Sequence, residues 1–287
     1  MADGTVRFSD MPTRDRVMQA AVFVVLGLLS LAFLMPLLWM VSTSLKPVEE
    51  TMKMPPSFIP WPPQWHNYVE AVQAIPFFRY LLNTVIVCVL GTTGTVFSSA
   101  LVAYGFAFLR WRGREPMFAL TLATMMIPFP VIMVPLYGVF RTLGWVGTLQ
   151  PLWVPEFFGG AFNIFLIRQF FLGIPKDLLD SARIDGASEW QIFWRIAVPL
   201  AKPVLVVVGI FHLIFAWNDF LGPLIYLTKQ ETFTISLGLQ FFQSQHGGTQ
   251  WHLLMAASTL VILPVLLVFL AGQRFLIRGI TMTGLKQ

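Results

Sequence analysis

Six long runs of apolar residues, separated by shorter polar segments, make up most of the chain. Each run has about 20 residues or more, the length that an α-helix rising ~1.5 Å per residue needs to cross a membrane. The pattern predicts spans at 20–41, 81–109, 117–140, 151–171, 203–227 and 253–276. We therefore predict an all-α, polytopic membrane protein with six transmembrane helices, organised as a single transmembrane domain over residues 1–287.

The third and fourth runs are less regular than the others. Prolines in the third run predict kinks, because proline disturbs a helix interior. The fourth run contains residues that interrupt helices or are costly in lipid: Pro155, Glu156, Gly159, Gly160 and Asn163. We expect this fourth span to be broken or sheltered by neighbouring helices.

Composition supports a membrane protein and excludes several other classes. The chain is 56% apolar and only 11% charged, and that charged share is about half the usual one for soluble domains. The net charge of +5 does not indicate nucleic-acid binding, because the basic residues lie in separate short loops rather than in one patch. The single cysteine, Cys88, excludes a disulfide framework and a multi-cysteine metal site.

The distribution of Lys and Arg predicts the orientation. Of the 19 basic residues, 12 lie in the N-terminal segment 1–19, the loop after the second span, the loop 172–202 and the tail 277–287; Arg168 and Arg274, at the span ends next to that loop and tail, bring this side to 14. Since cytoplasmic loops carry the excess of Lys and Arg, we predict that both termini and loop 172–202 are cytoplasmic. The loop 42–80 is then extracytoplasmic. It is rich in Pro and Trp, which favours a compact interfacial cap with short helical pieces, with or without a binding role.

Loop 172–202 carries start and stop signals for two short helices. Pro175 at a first helical position and Gly186 just past an end predict a helix over 175–185. Ser188 as an N-cap, with Gln191 as its capping-box partner, predicts the start of a second helix. Pro199 is expected to limit its far end.

The second short helix has an apolar stripe. Trp190, Phe193, Trp194 and Ala197 fall at i, i+3, i+4 and i+7 on one face. The stripe predicts either docking into a groove of a partner or packing under the chain's own membrane helices.

The run Asp180-Ser181-Ala182-Arg183-Ile184-Asp185-Gly186-Ala187, followed by Ile196 and Pro199, resembles the cytoplasmic "EAA" motif of binding-protein-dependent ABC importer permeases. Asp180 stands where that motif has Glu, and Ser181 where it has Ala. The resemblance implies a coupling helix that sits in a cleft of an ATPase subunit. The residues to which it assigns this role are Asp180, Ser181, Ala182, Arg183, Asp185, Gly186, Ala187, Trp190, Phe193, Trp194 and Pro199.

Three further segments resemble carbohydrate importer permeases of the maltose type. They are Trp217-Asn218-Asp219-Phe220 with Pro223-Leu224, the ending 273–279, and Tyr80-Leu81-Leu82-Asn83-Thr84. The resemblance implies half of a translocation pore for a sugar in the cytoplasmic membrane of a prokaryote. It also implies a second related permease chain, a pair of ATPase subunits and an extracytoplasmic solute-binding protein.

The chain lacks the usual motifs for chemistry of its own. It has no Gly-x-x-x-x-Gly-Lys-Ser/Thr loop for nucleotide phosphates. We expect no cofactor on this chain, with ATP and Mg²⁺ held by the ATPase partners. It also has no His-Glu-x-x-His pair and no Gly-x-Ser-x-Gly elbow, which argues against an enzyme or a metal site. We expect the scattered histidines His66, His212, His246 and His252 to be interfacial or packed.

Polar residues within the spans are candidates for the translocation path. An ionisable group at membrane depth is costly unless it faces protein or a wet cavity. We hypothesise that Trp217, Asn218 and Asp219 shape this path and that Asn163 borders it. Alternatively, Asp219 caps or braces helices near the outer boundary, and Asn163 serves helix packing.

Other functions remain open from the sequence. An importer of glycerol phosphate or another polyol-like solute would be expected to place cations in its cavity. An ion-coupled secondary transporter would need more buried relay groups. A membrane scaffold would use the loop only to recruit a soluble protein. The tail 277–287 either reaches the ATPase, as the resemblance implies, or is a frayed end.

Overall fold

The computed structural model describes residues 13–244 and 248–284. Within these ranges the chain is almost entirely helical. The α-helices are α1 Thr13–Ser44, α2 His66–Ala74, α3 Phe77–Ala107, α4 Arg114–Ala123, α5 Phe129–Thr142, α6 Gln150–Trp153, α7 Ala161–Leu172, α8 Lys176–Ile184, α9 Glu189–Ile192, α10 Val198–Leu200, α11 Lys202–Asn218, α12 Leu221–Tyr226, α13 Ile235–Gly238 and α14 Trp251–Gly284. Short 3₁₀ helices cover Val48–Glu50, Thr124–Met126, Val154–Phe158, Gln230–Thr232 and Leu239–Phe242. A small two-stranded sheet pairs β1 Gln243–Ser244 with β2 Gly248–Thr249.

Three helices are long and apolar enough to span a membrane by themselves: Val17–Ser44, Phe77–Ala107 and Trp251–Gln273. Three bent helix pairs bring the number of spans to six if each pair crosses once. These helices confirm the predicted all-α polytopic membrane fold. The predicted segment 1–19 lies largely outside the described residues, as do His246 and residues 285–287 of the predicted tail, whereas 277–284 belong to α14.

The third predicted span, 117–140, is bent, as its prolines predicted. The chain bends by 99° between Arg114–Met126 and Phe129–Thr142. The break falls at Ile127, which is extended, because the ring of Pro128 disfavours a helical conformation in the residue before it. Pro135 lies inside α5 without ending it.

The fourth predicted span, 151–171, is broken, as its composition indicated. After α6, the 3₁₀ turn Val154–Phe158 carries Glu156, and Gly159 adopts a positive φ of 83° before α7 begins. A side chain at Gly159 would be strained in this conformation. The glycine therefore lets the chain reverse locally and place Glu156 beside α3.

The fifth predicted span, 203–227, is wrong at its far end, because α11 stops at Asn218. Asp219 is extended, and its carboxylate accepts a hydrogen bond from the backbone N–H of Gly222 at 3.1 Å. This contact satisfies a free N–H in the first turn of α12, as capping side chains do. The residues predicted to finish the span therefore form a separate short helix.

The described residues form two compact units. The first contains residues 13–71, 244 and 248–259. In it, Asn67 Nδ2 donates to the carbonyl oxygens of Ser44 and Lys46, at 2.9 Å each, and the hydroxyls of Ser44 and Tyr68 lie 2.7 Å apart. These contacts order the region that the sequence predicted to contain short helical pieces.

The second unit contains residues 72–243 and 260–284. Its centre is α3, which packs against α7, α11 and the 3₁₀ turn that carries Glu156. The 31 residues of α3 extend over about 46 Å, more than the ~30 Å hydrocarbon core. The packed core includes Ala103, Tyr104, Ile167, Phe171, Leu179, Ile192, Phe193 and Ala197.

Candidate functional site

The loop predicted to couple the chain to a partner forms two short helices joined by a sharp turn; we call residues 176–200 the elbow. At the end of α8, the N–H of Gly186 bonds to the carbonyl of Arg183, and the N–H of Ala187 to that of Ala182. Gly186 has a φ of 83°. This pairing with a left-handed glycine is the Schellman motif, which satisfies the last carbonyls of a helix. The predicted turn at Gly186 is confirmed.

A capping box begins the second helix of the elbow. Ser188 Oγ accepts from the N–H of Gln191 at 3.3 Å, and Gln191 Oε1 accepts from the N–H of Ser188 at 2.9 Å. This confirms the predicted pair, in which two free backbone donors are satisfied reciprocally. The geometry of the turn therefore follows from local sequence alone.

The second helix of the elbow ends at Leu200, one residue past Pro199, which confirms the predicted far end. A π-helical turn over Phe193–Ala197 precedes this end, with the N–H of Val198 bonded to the carbonyl of Phe193. Pro199 then lies at the start of α10, where its missing N–H needs no partner. The bend to α11 follows after Leu200 and measures 77°.

A chain of charged and polar groups ties the elbow to α3. Arg183 Nε lies 2.7 Å from Glu189 Oε1, and Arg183 Nη1 lies 2.6 Å from Asp180 Oδ1. The hydroxyl of Tyr104, near the end of α3, donates to Glu189 Oε2 at 2.5 Å. The hydrogen bond from Arg183, followed by that from Tyr104, lowers the pKa of Glu189; the contact with Glu189 raises the pKa of Arg183. These contacts therefore join the elbow to α3.

The four residues of the elbow's apolar stripe are not equally buried. Phe193 and Ala197 are buried in the core, and the ring of Phe193 lies 5.4 Å from that of Tyr104. Trp190 and Trp194 remain partly exposed, at 54% and 44%. Half of the stripe thus anchors the elbow, and half is accessible.

The tip of the elbow is open to solvent. Ile184 is 87% exposed, Asp180, Ser181, Asp185 and Gly186 are exposed, and Ala182 and Ala187 are half-buried. Ile184 and Trp190 are therefore two exposed apolar side chains on an otherwise polar segment. The predicted role of these residues in contacting an ATPase stays a prediction.

A second candidate region is a cavity of about 430 Å³ beside α3, which we call the acidic cavity. Its polar lining includes Glu156, His212, Asp219 and Tyr226, among apolar residues such as Phe129, Phe140 and Phe215. Concave apolar surfaces with a few converging polar groups are typical of small-molecule sites. Of the four residues predicted for the translocation path, only Asp219 lines this cavity.

The other three predicted path residues lie elsewhere. Trp217 is buried, and Asn218 is exposed with its amide donating to the carbonyl of Ile214 at 2.7 Å. Asn163 is half-buried near Gly160. Asp219 caps α12, as one of the two views of it expected, and it also lines the cavity; its part in a translocation path stays a prediction.

The acidic cavity contains a cluster that the sequence reasoning missed. Thr95 Oγ1 donates to Glu156 Oε2 at 2.6 Å, and His212 Nδ1 lies 3.6 Å from the same oxygen. Ser98 Oγ donates to the carbonyl of Glu156 at 3.1 Å. His212, expected to be merely packed, therefore belongs to a polar cluster that joins three spans.

One sequence signal could have located this cluster. Gly91, Gly94, Thr95 and Ser98 are small residues at i, i+3, i+4 and i+7, so they form one face of α3. A Cβ at Gly91 would lie 2.9 Å from His212 Nε2, and one at Gly94 would overlap the ring of Phe157. Small faces allow close helix approach in membranes, and here the face admits both Glu156 and His212.

The sequence profile of the family described as "Binding-protein-dependent transport system inner membrane component" matches residues 96–282. This stretch contains the elbow and most of the acidic cavity. The chain belongs to this family. We therefore refer to it below as the permease.

Individual relatives agree with this assignment. The permease is 35% identical over 262 residues to the arabinooligosaccharides transport system permease protein AraQ of Bacillus subtilis (strain 168), covering 90% of this chain and 92% of AraQ. It is 32% identical over 238 residues to the sn-glycerol-3-phosphate transport system permease protein UgpE of Yersinia pestis bv. Antiqua (strain Antiqua), covering 80% and 84%.

A solved structure shows the same fold. It is a bacterial ABC transporter involved in the import of the acidic polysaccharide alginate. One of its chains aligns with a TM-score of 0.79 at 24% identity, covering 92% of the permease and 98% of that chain. Family membership, together with the apolar helices, makes the permease a multi-pass membrane component of a transport system.

Proposed function

We propose that the permease forms one half of the translocation path of an ATP-driven importer for uncharged sugars. Its partners in this proposal are a second related permease chain, two ATPase subunits that hold ATP and Mg²⁺, and an extracytoplasmic solute-binding protein. Family membership and the relatives named as ABC and oligosaccharide permeases support this assembly. The predicted orientation, with both termini and the elbow cytoplasmic, places the elbow on the side of the ATP.

The elbow is the observation that carries the coupling part of the proposal. Its tip exposes Ile184 and Trp190, while its base is fixed through Glu189 to Tyr104 on α3. When an ATPase pair closes, a tip held in its cleft moves with it. The charged chain and the buried Phe193 then pass that movement to the spans as a rigid-body change.

The charges of the acidic cavity support an uncharged solute. Glu156 and Asp219 line it together with His212, and no Lys or Arg is among its lining residues within the described part of the chain. Carboxylates accept hydrogen bonds from sugar hydroxyls, whereas a phosphate ester here would face like charges without a cationic partner. The cavity therefore favours a neutral sugar over glycerol phosphate, the second candidate to which relatives named UgpE point.

Substitution of the elbow glycine tests the coupling. Gly186→Val should impair sugar-stimulated ATP hydrolysis in the reconstituted complex, since a β-branched residue at positive φ costs roughly 1–3 kcal/mol and reshapes the turn. Gly144→Val is the matched control, because Gly144 also has a positive φ of 69° and open space around it, but lies outside the elbow. Equal stimulation in both variants would overturn the coupling role.

The solute class is tested with the same complex and its binding protein. We expect a neutral arabino-oligosaccharide to stimulate ATP hydrolysis and uptake, and sn-glycerol 3-phosphate to leave both at the basal level. Stimulation by glycerol phosphate alone would assign the permease to the second candidate function.

A further inference from the structure

Two cavities share a basic wall beside the end of α3. The first, of about 430 Å³, is lined by Ala107, Phe108, Leu109, Arg110, Arg114, Lys176, Leu179, Asp180, Arg183 and Glu189. The second, of about 440 Å³, is lined by Arg110, Trp111, Gly113, Arg114, Glu115, Pro116 and Lys176. Because Arg110, Arg114 and Lys176 line both, we call the two together the basic cavities.

The acids in these linings already have cationic partners. Arg183 holds Asp180 and Glu189, as described above. Glu115 Oε1 lies 2.9 Å from Arg114 Nη2 and 3.5 Å from Arg168 Nη2. These carboxylates therefore do not compete strongly for further cations.

Two cations of the shared wall remain available. Among the residues that the structure describes, neither Arg110 nor Lys176 lies within ion-pair distance of a carboxylate. Both are exposed, and they come from different segments, one from the turn after α3 and one from the first residue of α8. Two converging, unpaired cations favour an anion between them.

The apolar part of the lining identifies the kind of anion. Ala107, the last residue of a membrane-spanning helix, and Phe108 and Leu109, which follow it, line the first cavity together with the cations. Trp111, which is 42% exposed, lines the second, and tryptophan is enriched where membrane meets water. Cations that share these linings with apolar side chains and a tryptophan, at the end of a membrane span, fit a phospholipid better than a free phosphate or an acidic protein surface.

We propose that the basic cavities bind the phosphate headgroup of an anionic phospholipid, held by Arg110 and Lys176 with Arg114 as a further donor. This site goes beyond the proposed sugar transport and does not depend on its solute. Since Lys176 begins α8, the lipid would bear on the elbow directly. Anionic lipid is then a ligand that stabilises one position of the elbow.

The test compares phosphatidylglycerol with phosphatidylcholine on the purified complex. Native mass spectrometry after delipidation and titration with each lipid measures retention by the wild type, by the double variant Arg110→Gln/Lys176→Gln and by Arg112→Gln. Arg112 is the matched control, because it belongs to the same turn and is exposed but lines neither cavity. A Lys176→Arg variant, which keeps the charge, and thermal unfolding of all variants check that the fold is intact.

We expect the wild type, Arg112→Gln and Lys176→Arg to prefer phosphatidylglycerol. The double variant should bind it roughly 30-fold more weakly, the factor expected for about 1 kcal/mol per cation near an anionic headgroup. Equal retention of both lipids by the wild type would overturn the proposal, as would equal losses in Arg112→Gln and the double variant. Unchanged phosphatidylglycerol retention with loss of the ATPase subunits in the double variant would assign the wall to the ATPase instead. The lipid result is independent of sugar stimulation, so the two proposals fail separately.

Discussion

The elbow takes its shape from residues close together in the sequence, whereas the acidic cavity is assembled from residues far apart. The Schellman turn at Gly186 and the capping box of Ser188 and Gln191 each close within a few positions. The cavity instead brings Thr95 on α3, Glu156 in a broken span and His212 on α11 to one oxygen atom. Substitutions in the elbow should therefore alter coupling locally, and substitutions at the cavity should disturb the packing of several spans together.

The largest effect is expected at Gly94, where a side chain would overlap the ring of Phe157. Gly94→Val should displace the turn that carries Glu156, lower stability by about 1–3 kcal/mol and abolish uptake, since overpacking a close contact forces backbone shifts. Thermal unfolding of the complex and an uptake assay measure both changes.

Gly105→Val is the control on the same helix, because nothing lies within 4 Å of its added Cβ. It should stay within about 0.5 kcal/mol of the wild type, as substitutions away from special contacts do. If both variants behaved alike, the small face of α3 would not be what assembles the cavity.

A smaller effect is expected at Asp219, where the cap on Gly222 and the charge in the cavity can be removed separately. Asp219→Ala removes both the cap on Gly222 and the cavity charge, and loss of a cap costs typically ~1 kcal/mol. Asp219→Asn retains an oxygen for the cap, so it should keep the stability and reduce only uptake at limiting sugar. Unchanged uptake by the Asn variant at limiting and saturating sugar would remove the charge from the path.

Tyr104→Phe should have a more limited effect on the elbow. It deletes one hydrogen bond to Glu189, while Arg183 still holds the same carboxylate. We expect sugar-stimulated ATP hydrolysis to fall several-fold and basal hydrolysis to persist, because a hydrogen bond to a charged group contributes about 1.5–3 kcal/mol. Tyr137→Phe, in α5, is the control; equal stimulation in both would mean that α3 does not receive movement through Tyr104.

The smallest effect is a dependence of stability on pH. The folded pKa of Glu189 lies below its ordinary value because of Arg183. Its contribution is therefore complete above the ordinary glutamate pKa and is lost as the pH falls through the lower, folded value. The wild type should therefore be more stable than Glu189→Gln at neutral pH, and this difference should disappear as the pH falls through the acidic window; a difference in unfolding free energy that stays constant across the window would contradict the ion pair.

The elbow is easier to predict from the sequence than the acidic cavity, because its contacts are local. Local signals at Gly186, Ser188 and Gln191 predicted the elbow correctly. Pro199 correctly predicted the far end of the elbow, whereas nothing in the sequence signalled the π-helical turn before it. Composition predicted the spans and the prolines predicted the bend at Ile127, but neither predicted the break after Asn218.

Of the residues that line the acidic cavity, the sequence indicates only Asp219, since hydropathy does not tell which spans pack against each other. Asp219 stands out in the sequence because a charge at membrane depth is unusual. The sequence does not show that Glu156 and His212 meet, because their contact depends on α3, far from both in sequence. The small residues on one face of α3 are the available sequence signal. They indicate that another segment packs closely against α3 there, but not which side chains make the contact.

The proposed coupling requires contact between the tip of the elbow and an ATPase subunit. A single exposed thiol at Ile184→Cys measures it, since Cys88, the one native cysteine, is buried. We predict that a short bifunctional crosslinker joins this position to the ATPase subunit in the assembled complex, with a yield that changes on addition of ATP, while Leu143→Cys, which is also exposed, gives no such product. Failure of Ile184→Cys to crosslink in a complex that hydrolyses ATP in response to sugar would contradict the account.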